Sequence, residues 1–273
     1  LRILGNFLMK FPFFCVNAFC KGAFSGNPAA VCILEEWLST DELQNIAAQV
    51  FFPETAFLFP SKNGVWAIRW FTPKAEVDLC GHATLASAHV LYQEGLVTKG
   101  NEIIFSSNGG NLRARMEKNG RLSLGFPRMQ ARKSSVSPIL VEGLGAYPDE
   151  VLIGENYLCV FGEEEAIHAL DPDFRVLSGL SSCLGVIVTA RTSRIGYHFV
   201  SRYFAPRLGI DEDHATGSAH CLLAPYWGDK LGKDKLVGLQ ASPRGAEIRC
   251  ELVKDEVVLS GLAETFVRGK LTA

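Results

Sequence analysis

Two stretches decide the fold: Asp78-Leu79-Cys80-Gly81-His82-Ala83-Thr84 and Asp213-His214-Ala215-Thr216-Gly217-Ser218-Ala219-His220. Each carries an aspartate, then a glycine, and then a run of small residues of the kind that packs a helix tightly. Asp78 stands three residues before Gly81, and Asp213 four before Gly217. The two glycines are 136 positions apart, almost half of the 273-residue chain. That spacing points to an internal duplication: two similar lobes, each built around one buried helix, opening near His82 and near Ser218. A division into residues 1–127 and 128–273 follows, with the last strand able to return to the first lobe.

Around these helices the chain reads as short strands mixed with helices. Strands are expected over Phe13 to Ala18, Ala29 to Leu34, Val65 to Phe71, Tyr157 to Phe161, Gly185 to Ala190, Tyr197 to Phe204 and Glu247 to Val253. Ser39 with Glu42 three residues on is a capping box, and Leu43, Ile46, Ala47 and Val50 follow at helical spacing. Asp211 to Gly217 reads as a turn, and Glu256 to Ser260 and Thr265 to Arg268 as two separate strands. Regular alternation of strand and helix is absent, so the class is α+β with mostly antiparallel sheet rather than a doubly wound sheet.

Composition narrows the function. With 27 basic and 29 acidic residues the net charge is -2, which offers no electrostatic footprint for nucleic acid or an anionic membrane. No apolar run approaches the ~20 residues that span a bilayer. The eight cysteines form no CxxC pair and the six histidines no HExxH, so neither a metal site nor a disulfide framework is expected. Such cysteines behave as small core residues in a reducing cytoplasm, where the protein is expected to reside. Met9-Lys10 followed by an apolar run reads as a start, with Leu1 to Leu8 an upstream extension.

The chemistry gathers at a few residues. A glycine that opens a helix lets an anion approach free N–H groups where the helix dipole favours it, so Gly81 and Gly217 together suit a small carboxylate. Glu54 lies within Phe51-Phe52-Pro53-Glu54-Thr55-Ala56-Phe57, an aromatic setting that would desolvate it and suit it to proton transfer. His82 and Asp213 stand beside the glycines, and Ser218 adds a hydroxyl. Each also has a plainer reading as a cap or a packing residue.

At these residues the chain resembles the phenazine biosynthesis PhzF-like isomerase family, relatives of diaminopimelate epimerase in fold. The matching stretches are FSGNPAAVCIL (24–34), ETAF (54–57), RWFTPKAEVDLCGHATLASAHVL (69–91), SRYFAP (201–206), GIDEDHATGSAHCLLAPYW (209–227) and GLAETFVRGKL (261–271). The resemblance implies two lobes, each a curved sheet around a central helix, with an active site between them. It implies that Glu54 is the proton-shuttling glutamate and that His82, Asp213 and Ser218 line the same pocket. It also implies a homodimer and a small carboxylated substrate, with no cofactor. Three positions depart from the family pattern: Pro53 replaces a serine, His214 a proline, and His198 an aspartate.

Rival readings separate on sequence. A two-thiol racemase or epimerase needs a second thiol where Thr216 stands, which leaves Cys80 a packed spectator. A serine hydrolase lacks the GxSxG elbow at Ser218. A non-catalytic binding protein of the same fold is the remaining alternative, distinguished by proton exchange on a bound ligand.

Overall fold

The structure, a computed structural model, describes residues 9–273. The upstream extension expected at residues 1–8 lies outside them. The chain divides into two compact units. Unit one holds the described residues up to Ala18, Pro28–Leu122 and Ala263–Ala273, and unit two holds Phe19–Asn27 and Ser123–Leu262.

This division differs from 1–127 and 128–273 for identifiable reasons. The loop before Asn27 is tied to unit two: Gly26 N–H donates to Gly245 O (2.8 Å) and Arg244 Nε to Gly26 O (2.8 Å). Arg128 N–H donates to Asp255 O at 3.0 Å, again inside unit two. The C-terminus returns to unit one, where Met9 and Ala273 exchange backbone hydrogen bonds of 2.9 and 3.0 Å.

Unit one takes in most of β1 (Lys10–Cys20), then β2 (Asn27–Ile33), α1 (Thr40–Val50), β3 (Glu54–Pro60), β4 (Val65–Phe71), β5 (Glu76–Val77), α2 (Gly81–Gln93), β6 (Ile103–Ser107) and β7 (Gly110–Met116). The capping box at the start of α1 is formed: Ser39 Oγ accepts from Glu42 N–H, and Ser39 N–H donates to Glu42. Such a cap contributes about 1 kcal/mol. Leu43, Ile46 and Ala47 bury the apolar stripe of α1 against Phe57 and Phe71.

Unit two runs through β8 (Leu122–Pro127), β9 (Arg132–Lys133), α3 (Pro138–Leu144), β10 (Glu150–Ile153), β11 (Tyr157–Phe161), α4 (Glu164–Ala169), α5 (Phe174–Leu177), β12 (Val186–Arg191), β13 (Phe199–Ala205), β14 (Ile210–Asp213), α6 (Gly217–Leu231), β15 (Lys235–Gln240), β16 (Ala246–Val253) and most of β17 (Glu256–Thr272). Its core gathers Leu140, Tyr157, Val188, Val200 and Phe204.

The same order of pairings recurs in both units. In unit one β2 pairs parallel with β3, β3 antiparallel with β4, β4 parallel with β6 and β6 antiparallel with β7. In unit two β11 pairs parallel with β12, β12 antiparallel with β13, β13 parallel with β15 and β15 antiparallel with β16. A short strand, β5 or β14, precedes the small-residue helix each time. Mixed sheet with buried helices is the α+β class expected, although parallel pairs are a regular part of it. Both α2 and α6 are buried nearly all round, the condition for a helix apolar on every face to lie inside a core. Each opens at its glycine, one residue before the expected start. Among the described residues no helix is long and apolar enough to cross a membrane.

Two expectations are corrected. The turn over 211–217 is strand up to Asp213, paired to β13 through Tyr203 and Asp213, because a four-residue charged edge strand carries no apolar alternation. The two C-terminal strands are one, since Gly261 does not break β17. A Cβ on Gly261 would lie 2.4 Å from the Phe19 ring, so this glycine marks close packing rather than a turn.

Candidate active site

In unit one, Glu54 and His82 meet. Glu54 opens β3 and is held by the parallel register with Ala29 of β2. Residues of alternate parity on a strand face opposite ways. Glu54 thus faces α2, while Phe57 packs among Leu43, Ile46 and Phe71 on the α1 side. His82 is the second residue of α2. Its Nε2 lies 3.1 Å from Glu54 Oε2, and the two side chains are 6% and 12% exposed. The approach is close but poorly directed for a hydrogen bond, so Glu54 Oε2 is buried with no hydrogen-bond donor on it. His82 Nδ1 lies 3.5 Å from Cys80 Sγ.

Burial alone would pull the His82 pKa down. The Cys80 sulfur and the Glu54 carboxylate beside it outweigh that and hold it well above the ordinary histidine value. Burial pushes the Cys80 thiol up, against the opposing pull of His82. The resting arrangement is a histidine held protonated beside the Cys80 sulfur and the Glu54 carboxyl group. The sign for stability follows. A raised folded value stabilises fully below the ordinary histidine pKa, and this is lost as pH climbs through the raised value. The unfolding free energy measured in urea should therefore fall on the alkaline side of neutrality. His82→Gln should remove that part of the decline; an unchanged alkaline slope in the variant contradicts the assignment.

Glu54, Cys80 and His82 offer three potential metal-ligating atoms within 4.8 Å of one another. The donor types suit zinc.

In unit two, Asp213 ends β14 and is held on all sides. Oδ1 accepts from Asn27 Nδ2 at 2.6 Å and Oδ2 from the Thr216 hydroxyl at 2.5 Å. Its backbone carbonyl accepts from Gln240 Nε2 at 2.7 Å, and Gln240 Oε1 accepts the Thr216 N–H at 2.8 Å. Such a carboxylate is fixed in place rather than free to swing. Gly217 is buried, and Ser218 is half-buried with no hydrogen-bond partner on its hydroxyl among the described residues. Neither α2 nor α6 has a side-chain cap on its first N–H groups, which leaves both openings able to receive an anion.

Of the departing positions, His198 is structural: its Nδ1 accepts the Val237 N–H at 2.9 Å, and burial lowers its pKa. His214 gives its carbonyl to the Ser242 hydroxyl at 2.9 Å. His220 is fully buried, donates Nδ1–H to Thr216 O at 2.8 Å, and is pushed by burial to about 4, so it is neutral. Sequence reasoning missed Gln240 and gave no role to Asn27 or Thr216. Asn27 does lie in one of the quoted stretches, whereas Gln240 has no local signal.

The model of the phenazine biosynthesis-like family, PhzC-PhzF, matches residues 16–269. The chain belongs to this family. A protein of Halalkalibacterium halodurans named an uncharacterized isomerase is 41% identical, with 97% of this chain and 99% of the relative covered. One of Pseudomonas aeruginosa, also named an uncharacterized isomerase, is 43% identical over 96% of this chain and 99% of its own. The solved structure of a PhzF-family phenazine biosynthesis protein from Enterococcus faecalis superposes with a TM-score of 0.91 at 40% identity, covering 96% and 99% of the two chains. In PhzF-family terms, Glu54, His82, Asp213 and Ser218 are the positions that the sequence resemblance selected. Glu54 and His82 are in contact, and Asp213 is anchored beside the α6 opening.

Proposed function

We propose that this chain is a cofactor-independent isomerase that moves a proton between two carbons of a small carboxylated substrate. The observation that carries the reading is the Glu54–His82 contact: a buried carboxylate with an unused oxygen lone pair beside a histidine held protonated. Glu54 takes a proton from the donor carbon, and the electron pair left behind moves into the adjoining unsaturated system. Glu54 then returns the proton to the acceptor carbon. Only a proton moves, so the step balances without an oxidant or reductant. His82 stands against Glu54 throughout the transfer. The uncapped N–H groups at Gly81 and Gly217 and the Ser218 hydroxyl bind the substrate carboxylate, and Asp213 orients it. That the two helix openings serve one substrate rests on their sequence likeness and the family resemblance. The homodimer carries over from the same resemblance; sedimentation at a single chain's mass would remove it.

Incubation with small cyclic and unsaturated carboxylates in heavy water tests the reading. Deuterium should enter the carbon skeleton of at least one of them. A carboxylate that binds stoichiometrically while none of the panel gains label supports the non-catalytic binder instead.

A further inference from the structure

The hydrogen bonds around Asp213 have a direction that can be read from the backbone outward. Gln240 ends β15 in register with Ser201 of β13, and it is 1% exposed. Thr216 N–H can only donate, so the Gln240 atom 2.8 Å from it is Oε1. The Asp213 carbonyl can only accept, so the Gln240 atom 2.7 Å from it is Nε2. Two backbone groups thus fix the orientation of the amide. The second hydrogen on Nε2 then points at Thr216 Oγ1, 3.1 Å away. Thr216 Oγ1 is the acceptor there, and its own single hydrogen goes to Asp213 Oδ2 at 2.5 Å.

Asn27 is oriented in the same way. Its Nδ2 lies 3.2 Å from the Ala215 carbonyl, which only accepts, and 2.6 Å from Asp213 Oδ1. Each carboxylate oxygen of Asp213 therefore faces a donor whose direction is set by a backbone group. The repeated strand order does not require this chain of bonds. In unit one β6 holds the place that β15 holds in unit two. It ends at Ser107, whose hydroxyl donates to Gly110 O at 2.9 Å within its own hairpin.

We propose that Gln240 is a positioning residue that turns the Thr216 hydroxyl towards Asp213 and so keeps Asp213 a fixed acceptor. The proposal rests on the orienting role of Asp213 in the isomerase reading and deepens it. A carboxylate that meets a donor on each oxygen orients a substrate without carrying its proton, which leaves that task to Glu54. Without the Nε2 donor, the Thr216 hydroxyl is able to rotate and accept where it now donates. No covalent or redox step is involved.

Proton NMR of the ligand-free protein, with its threonines isotopically labelled, reads the Thr216 hydroxyl directly. The wild type should show it as a resolved signal that exchanges slowly with water. Gln240→Met, close in volume, should speed that exchange by about tenfold or more, the scale of one buried hydrogen bond. Should the methionine variant not fold, Gln240→Glu has the same shape and puts an ionised acceptor where Nε2 now donates, with the same gain in exchange expected. Asn27→Ala is the control: it also removes a bond to Asp213 and should lower the urea midpoint, yet keep the slow hydroxyl signal. An unmoved signal in the Gln240 variant, or its equal loss in Asn27→Ala, overturns the proposal. These readings need no substrate, so they are separable from failure of the isomerase reading. On a carboxylate that gains label, the Gln240 variant should raise the half-saturating concentration more than it lowers the saturating exchange rate. The reverse would make Asp213 a proton carrier and would also overturn the proposal.

Discussion

Glu54→Gln is expected to fold and to bind small carboxylates as the wild type does, yet to lose solvent deuterium incorporation by about 10²–10⁴-fold, the usual worth of general acid–base assistance. Glutamine keeps the shape of the side chain at the start of β3 and its place opposite Ala29. It cannot carry a proton at neutral pH. The groups assigned to carboxylate binding are backbone N–H groups and Ser218, none of which the substitution touches. Asp213→Asn provides the contrast. It puts an amide where both carboxylate oxygens now accept, from Asn27 and from Thr216, so one of those donors meets another donor. Exchange should fall but persist, with weaker substrate binding. Equal exchange by Glu54→Gln and the wild type moves the proton carrier elsewhere.

The second large effect is on stability. Phe57 is 0% exposed, sits on the opposite face of β3 from Glu54, and packs edge-to-face on Phe71 with ring centroids 5.6 Å apart. Phe57→Ala should cost about 3–5 kcal/mol, because the apolar transfer term and the cavity both count. Phe57→Leu, closer in volume, should cost less than about 1.5 kcal/mol. Urea midpoints report both. Since β3 is the strand that holds Glu54, the alanine variant should also bring down the His82 titration midpoint. A destabilised variant with an unmoved His82 would mean that the α1 face of β3 does not support the site.

How much of the fold and site is legible in the sequence depends on the range of the interactions. The start of α1 is legible because its capping box is local, four residues wide. The helices α2 and α6 are legible through their small-residue runs, but their first residues are not: glycine at the first helical position reads as turn. Strand β3 is hidden because Phe51 to Pro60 is almost continuously apolar and lacks alternation, and β14 because its four residues are mostly charged. In the site, Glu54 and His82 are legible by motif. The clasp on Asp213 is not, since Asn27 lies 186 positions away and Gln240 has no signal of its own. Cys80 is legible as buried and reads as a spectator. The approach of its sulfur to a ring two residues on depends on a side-chain direction no pattern encodes.

The most direct test of Glu54 as the proton carrier is chemical rescue. Glu54→Ala leaves a buried space beside His82 of the size of a small carboxylic acid. Deuterium incorporation by this variant should be close to background, should rise with added formate or acetate, and should rise more with the more basic of the two at equal occupancy. The wild type should not respond. Exchange at the wild-type rate in Glu54→Ala without any added acid, or the same acceleration by formate in both proteins, would contradict the account.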